Sequence, residues 1–146
     1  MAYTNALSAY KETRIRTASQ GQLIVMLYDE AVKQLDKSLE LITLNKSNKS
    51  DPSRIEVIGK AIIKTRDIIT ELMVSLDFEQ GGEIAQNLFS LYTWFNKELL
   101  EAHINLDINR IGTVKNHIAD LRTAWVEIAA RTNAEGRVVE GINIAG

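Results

Sequence analysis

The sequence predicts an all-α protein, an antiparallel four-helix up-down bundle with a short N-terminal helical lid and a flexible C-terminal tail. Three observations lead to this fold. Apolar residues recur at helical spacing in four long segments. The single proline, Pro52, stands where a helix can begin, so it interrupts none of them. Short polar stretches separate the segments, and short connections favour antiparallel neighbours.

Length and composition fit one soluble domain. The chain has 146 residues, of which 45% are hydrophobic and 25% charged. We predict a single domain over residues 1–132, with the lid at 1–17 and the tail at 133–146. No stretch is apolar enough to cross a bilayer, and the start lacks the pattern of a signal peptide. The expected location is therefore the cytoplasm, without membrane insertion.

The first helix is expected to begin at Ser19, because Ser19 and Gln22 form a capping-box pattern, and to fade near Leu44. Its apolar positions cover an arc of roughly 200°. The second helix opens at Asp51, a good N-cap residue, followed by proline at the first helical position. Its apolar stripe is about 160° wide.

The third helix is expected to begin at Gly82 or Glu83, after a turn at the Gly81–Gly82 pair. Its apolar arc covers about 180°. Asp107 is the predicted cap of the fourth helix, whose stripe is only about 100° wide. That stripe comprises Ile111, Val114, Ile118, Leu121, Trp125 and Ile128. The pattern ends after Thr132, where the tail is predicted.

The first three stripes are wider than a bundle core requires, which is about three residues per heptad from each helix. Three alternatives remain for what covers the surplus apolar surface: the N-terminal segment, a second copy of the chain, or a partner polypeptide. Tyr3, Leu7 and Tyr10 lie at i, i+4 and i+7, on one face of a short helix. That helix is either a removable lid or a permanent strap.

Trp125 is expected in the core, whereas Trp94 falls outside the arc and is exposed or covered by the lid or a partner.

The sequence lacks the motifs of several catalytic and metal-binding sites. The net charge of −2 gives no electrostatic support for nucleic-acid binding, and the absence of cysteine excludes a thiolate metal site. Neither histidine has a glutamate three positions earlier, so the Glu-x-x-His motif of a bundle metal site is absent. No Gly-x-Ser-x-Gly elbow occurs. We therefore predict a protein that is not an enzyme and holds no cofactor or metal.

Four blocks of sequence, in order and with compatible spacing, resemble one family, the flagellin export chaperones FliS. One departure is Gln20, where the family often has proline. The blocks are Ala2-Tyr3 with Asn5-Ala6, Tyr10-Lys11-Glu12, Ile15 and Thr17-Ala18-Ser19; Gln22 to Asp29 with Ala31; Ser75-Leu76-Asp77 with Gly81 to Ala85, Asn87-Leu88 and Leu91-Tyr92; and Leu121-Arg122, Ala124-Trp125 and Ile128.

The resemblance implies a cytoplasmic chaperone that binds the disordered C-terminal segment of flagellin, with an expected 1:1 stoichiometry. It would prevent premature polymerisation of the filament and keep its cargo competent for export. Other export components are further candidate partners. The alternative is a structural homo-oligomeric bundle without cargo, so self-association stays open.

Partner-binding residues follow from the resemblance and the apolar stripes together. The lid candidates are Tyr3, Leu7 and Tyr10. The groove candidates on the first helix are Ile24, Leu27, Tyr28 and Ala31. On the second helix and the turn after it they are Leu72 and Leu76, and on the third helix Ile84, Leu88, Leu91 and Tyr92.

Overall fold

The computed structural model describes residues 20–47 and 51–135, which form four helices. These are α1 (Gln20–Ser47), α2 (Pro52–Val74), α3 (Phe78–Asn105) and α4 (Ile108–Glu135). Each helix packs on its neighbours in the chain, and α4 returns to pack on α1, so the helices close into a ring. The predicted four-helix bundle is confirmed. The predicted lid and residues 136–146 of the tail lie outside the described residues.

The antiparallel arrangement is visible in close approaches between helix ends. Gly21 near the start of α1 lies against Ala129 near the end of α4, so closely that an added Cβ would sit 3.0 Å from the alanine Cβ. Gly59 on α2 meets His103 on α3, where an added Cβ would sit 2.9 Å from the imidazole Nε2. His103 is half-buried at this helix contact.

The interior of the ring is filled by branched aliphatic and aromatic side chains. All four helices contribute, and α1 shares more extensive contacts with α2 and α4 than α3 does. Trp125 is buried, as predicted for the narrow stripe of α4. The largest fully buried side chains are Tyr28, Tyr92, Phe95, Ile24, Leu35, Ile42, Ile58, Ile62, Ile68, Ile69, Leu72 and Leu99.

Local capping chemistry sets several helix ends. The Asp51 carboxylate accepts a hydrogen bond from the Ser53 amide at 2.9 Å, and Pro52 occupies the first helical position. The Asp107 carboxylate accepts from the amides of Asn109 (3.0 Å) and Arg110 (3.2 Å). Both predicted caps are confirmed. The cap predicted at Ser19 lies outside the described residues.

The third helix begins one turn before the start predicted at Gly82 or Glu83. The helix begins at Phe78, because Asp77 acts as the N-cap and accepts from the Gln80 amide at 3.0 Å. The helix then kinks at Gly82, whose φ of 49° and ψ of −125° are not helical. The glycine pair was expected to precede the helix, whereas it bends the helix after one turn.

Two helices run further than the apolar pattern predicts. Helix α1 continues past Leu44 to Ser47, whose hydroxyl donates to the Thr43 carbonyl at 3.0 Å. Helix α4 continues past Thr132 through residues 133–135. Loss of the apolar stripe therefore does not end a helix here, because the backbone hydrogen bonds continue beyond it. No described helix is long and apolar enough to span a membrane.

Ion pairs join adjacent helices around the ring. Helix α1 pairs with α2 through Glu30 and Lys64 (3.2 Å), and with α4 through Asp36 and Lys115 (2.5 Å). A further pair joins Asp29 of α1 to Arg122 of α4. These groups are partly exposed, so each pair contributes only about 0–1 kcal/mol. Their main effect is to favour this alignment of neighbouring helices over shifted alignments, rather than to raise the overall stability.

The kink at Gly82 gives a stability prediction. In Gly82→Ala the new methyl group meets no atom within 4 Å, so its whole effect is the strain of a positive φ. We expect a loss of about 1–3 kcal/mol in the free energy of unfolding, measured by urea denaturation. The matched control is Gly112→Ala, equally open but inside regular α4, which should gain about 0.5–1 kcal/mol. Equal effects of both substitutions would contradict the assignment of strain to Gly82.

Candidate functional site

The predicted binding residues separate into groups in the structure. Tyr3, Leu7 and Tyr10 lie outside the described residues. One group lies in the bundle core, with exposed fractions from 1% to 8%: Ile24, Leu27, Tyr28, Ala31, Leu72, Leu76 and Tyr92. In this structure the side chains of this group are inaccessible to a partner. Their role in binding stays a prediction.

The remaining predicted residues, Ile84, Leu88 and Leu91, are at the surface of α3. They lie at i, i+4 and i+7, so they form one strip along the helix. Ile84 is 52% exposed, whereas Leu88 and Leu91 are half-buried and pack against the core. Of the predicted groove, this strip is what the structure presents to a partner.

The strip lies on the flank of α3 that faces α4. On this flank Glu98 pairs with Arg110 of α4 at 2.8 Å, and the Trp94 ring lies 5.4 Å from the His117 ring. Trp94 is at the surface and packs on α4, so the structure supplies a neighbour that the sequence did not identify. Leu121 and Ile128 lie on the same face of α4 as His117 and are also half-buried.

We define these residues as the α3–α4 seam: Ile84, Leu88, Leu91 and Trp94 from α3, and Leu121 and Ile128 from α4. Apolar side chains dominate it, with one ion pair, Glu98–Arg110, further along. Such a surface can bind the apolar face of a polypeptide. The described residues contain no group of His, Asp and Glu that could hold a metal ion.

Beneath the seam, the hydroxyls of Tyr28 on α1 and Tyr92 on α3 form a buried hydrogen bond. It joins two helices that lie diagonally across the ring. Burial raises the pKa of Tyr28 to about 12, although bonds to Tyr92 and Trp125 partly offset it. Burial also raises the pKa of Tyr92, and so does the nearby Tyr28. Both phenols are neutral at physiological pH, which suits a structural role.

Further exposed apolar residues lie on the other flank of α3, toward α2, and the sequence did not single them out as a site. Phe89 is 42% exposed and Leu100 43%. The sequence did mark both positions as apolar, because Phe89 and Leu100 widen the predicted arc of the third helix to about 180°. A residue at the edge of an apolar arc is expected to be half-exposed. The arc does not show whether a neighbouring helix covers that residue.

Comparison with known proteins identifies similar sequences over most of the chain. Residues 3–132 match the family described as flagellar protein FliS. The flagellar secretion chaperone FliS of Escherichia coli is 32% identical over 118 residues, 80% of each chain. That of Salmonella typhimurium is 31% identical over 123 residues, covering 84% of this chain and 85% of the relative. That of Bacillus subtilis is 26% identical over 125 residues, 86% of each chain.

The buried tyrosine pair gives a double-mutant prediction. Tyr28→Phe removes the partner of the buried Tyr92 hydroxyl, so we expect a loss of about 1–3 kcal/mol in the free energy of unfolding. The double variant Tyr28→Phe with Tyr92→Phe should recover part of that loss, because no hydroxyl is then left without its partner. Urea denaturation of the single and double variants measures the coupling. Additive losses would show that the two hydroxyls do not interact.

The same pair predicts a loss of stability at alkaline pH. An unfolded tyrosine ionises near pH 10, whereas Tyr28 in the fold ionises near pH 12. The unfolded chain therefore loses its proton first, and stability falls as the pH rises from about 10 to about 12. The tyrosinate absorbance should show that two of the four tyrosines ionise only as the helical circular dichroism is lost. Ionisation of all four below that transition would contradict the burial of the pair.

Proposed function

We infer that the chain, which belongs to the flagellar protein FliS family, is a flagellar export chaperone. The observation that carries this inference is the family match over residues 3–132, nearly the whole bundle. The relatives from Escherichia coli and Salmonella typhimurium are named flagellar secretion chaperones. The four-block resemblance in the sequence is confirmed by these comparisons. Such a role needs a binding surface rather than catalytic groups.

We further propose that the cargo is the C-terminal segment of flagellin, bound 1:1 in the cytoplasm. A segment that is disordered alone must bury a large surface, because ordering it costs free energy. Covering it would prevent premature polymerisation and keep it competent for export. The exposed apolar residues of the bundle support this proposal, because they offer contacts that the core does not use.

The α3–α4 seam is the proposed primary contact for the cargo. Ile84, Leu88 and Leu91 present an apolar strip at helical spacing, and Ile84 is half-exposed. The predicted residues in the core, such as Leu27 and Tyr92, would then support the seam from beneath. We also propose that residues 1–17, with Tyr3, Leu7 and Tyr10, act as a lid that cargo displaces.

The proposal predicts binding of an isolated cargo segment. A peptide of about the last forty residues of the cognate flagellin should bind with 1:1 stoichiometry and a large negative heat-capacity change, measured by isothermal titration calorimetry. A persistent homodimer in light scattering, together with no detectable binding, would favour the structural homo-oligomer instead.

A substitution in the seam tests where the peptide binds. Ile84→Ser should weaken binding about tenfold, because it removes an apolar anchor worth about 1.4 kcal/mol or more. Ile84 is already half-exposed, so the free energy of unfolding should change little. The matched control is Val57→Ser on α2, 37% exposed and outside the seam, which should bind normally. Equal affinities of the two variants would exclude Ile84 from the binding site.

A further inference from the structure

The contact between α3 and α4 is closed at one end and open at the other. Toward the end of α3 and the start of α4, the facing side chains are fully buried: Leu99, Ala102, Ile111 and Val114. Toward the start of α3, Ile84 is exposed, and the other facing side chains are only half-buried: Leu88, Leu91, Leu121 and Ile128. We define these last five residues as the open half of the seam. Of the four neighbouring helix pairs, α3 and α4 also share the least extensive contact.

The chain leaves α4 beside the open half of the seam. The Trp94–His117 contact and the Glu98–Arg110 pair fix the antiparallel register of α3 and α4. In that register Ile84 lies level with about residue 126, and α4 continues for nine more residues, or about 14 Å, to its end at residue 135. The eleven residues 136–146 span at most about 36 Å when extended. They are therefore long enough to turn back and run along the open half.

The sequence of residues 136–146 suits such a return. Gly136 follows the last described helical residue, and glycine is the residue that most often ends a helix and reverses the chain. Ile142 and Ile144 are two positions apart, so an extended chain presents both on one side, about 7 Å apart. Ile84 and Leu88, one turn apart on α3, have a similar spacing of about 6 Å. The two isoleucines can therefore pack on both residues at once.

The charges of residues 136–146 are also complementary to those beside the open half. Glu79 and Glu83 are exposed at the start of α3, and Arg131 is exposed one turn before the end of α4. Arg137 follows the end of α4 by two positions, so it leaves the helix beside the two glutamates. Glu140 comes three positions later and passes Arg131 on the return. Opposite charges that meet in this order favour one direction of docking.

We propose that residues 136–146 fold back onto the open half of the seam in the same chain and compete there with the cargo. This inference rests on the proposed function, because it adds an autoinhibitory contact to the proposed cargo site. Ile142 and Ile144 are the anchors, and they pack on Ile84 and Leu88. The segment lies outside residues 3–132, which match the family, so the family match does not imply this contact.

The arrangement of the helices favours this segment over the other candidate occupants. The N-terminal segment enters α1, which lies diagonally across the ring from α3, so it must cross α2 or α4 to reach the seam. A second copy of the chain must compete with a tethered segment, whose effective concentration is in the millimolar range when the link is short. The chain's own segment is therefore the expected occupant of the open half when no cargo is bound.

A test without cargo uses the absence of cysteine from the chain. Ala124→Cys places a thiol on the exposed side of α4, one turn from Leu121, and Ala130→Cys places one on the side away from α3. The first thiol should react with iodoacetamide at least about threefold faster when Ile142→Ser and Ile144→Ser are also present, because the open half is then free more often. The second thiol should react at one rate in both backgrounds. Equal rates for the first thiol would overturn the inference.

A second test measures the competition with cargo. In the full chain, Ile142→Ser with Ile144→Ser should raise the affinity for the flagellin peptide about threefold to tenfold, because more molecules then have a free seam. The matched control is Asn143→Ser, a polar position between the two anchors, which should leave the affinity unchanged. In an Ile84→Ser background the gain should largely disappear, since the anchors have then lost their contact.

The two tests separate this inference from the proposed function. If the natural chain binds the peptide and the double serine variant binds it equally well, the autoinhibitory contact is excluded while the proposed function stands. If the natural chain binds no peptide, the proposed function fails and the competition with it, whereas the thiol rates still show whether the segment docks.

Three further results would overturn the inference. Protection of the Ala124→Cys thiol that increases with protein concentration would assign the open half to a second copy of the chain. Faster reaction caused by Leu7→Ser with Tyr10→Ser, and not by the substitutions at Ile142 and Ile144, would assign it to the N-terminal segment. Faster reaction of both introduced thiols would show a general loosening of the bundle.

Discussion

The bundle depends on the burial of α1. This helix packs on both α2 and α4 along its length, and Leu35 and Ile42 on it are almost fully inaccessible. Its apolar arc is wide because it serves two neighbours and the centre of the ring at once. The hydroxyl contact between Tyr28 and Tyr92 then joins α1 to α3 across the interior. The positions of the other helices follow from the need to bury the apolar arc of α1.

This constraint leaves α3 less enclosed. It contacts α2 and α4 less extensively than α1 does, yet it carries an apolar arc of similar width. Part of that arc, including Phe95 and Leu99, fills the core. The remainder, on both flanks, stays half-exposed. Contiguous apolar surface of this kind on a small domain is often an interaction site.

The two flanks of α3 differ in chemistry, which matters for an export chaperone. The seam toward α4 is mainly apolar and includes Ile84 and Trp94. The flank toward α2 combines apolar side chains with unpaired acceptors at Asp67 and Asn96. Apolar contact gives affinity for many sequences, whereas buried polar groups penalise a partner that cannot pair them.

The features that depend on neighbouring residues in the chain follow from the sequence alone: the helical period, the caps at Asp51 and Asp107, and the family. Capping and periodicity are local, so a short segment is sufficient to specify them. The assembled bundle, in contrast, determines that Leu27 is core while Ile84 is at the surface. The helical wheel places both on an apolar face, but burial depends on which helix lies opposite, and residues far apart in the sequence determine that.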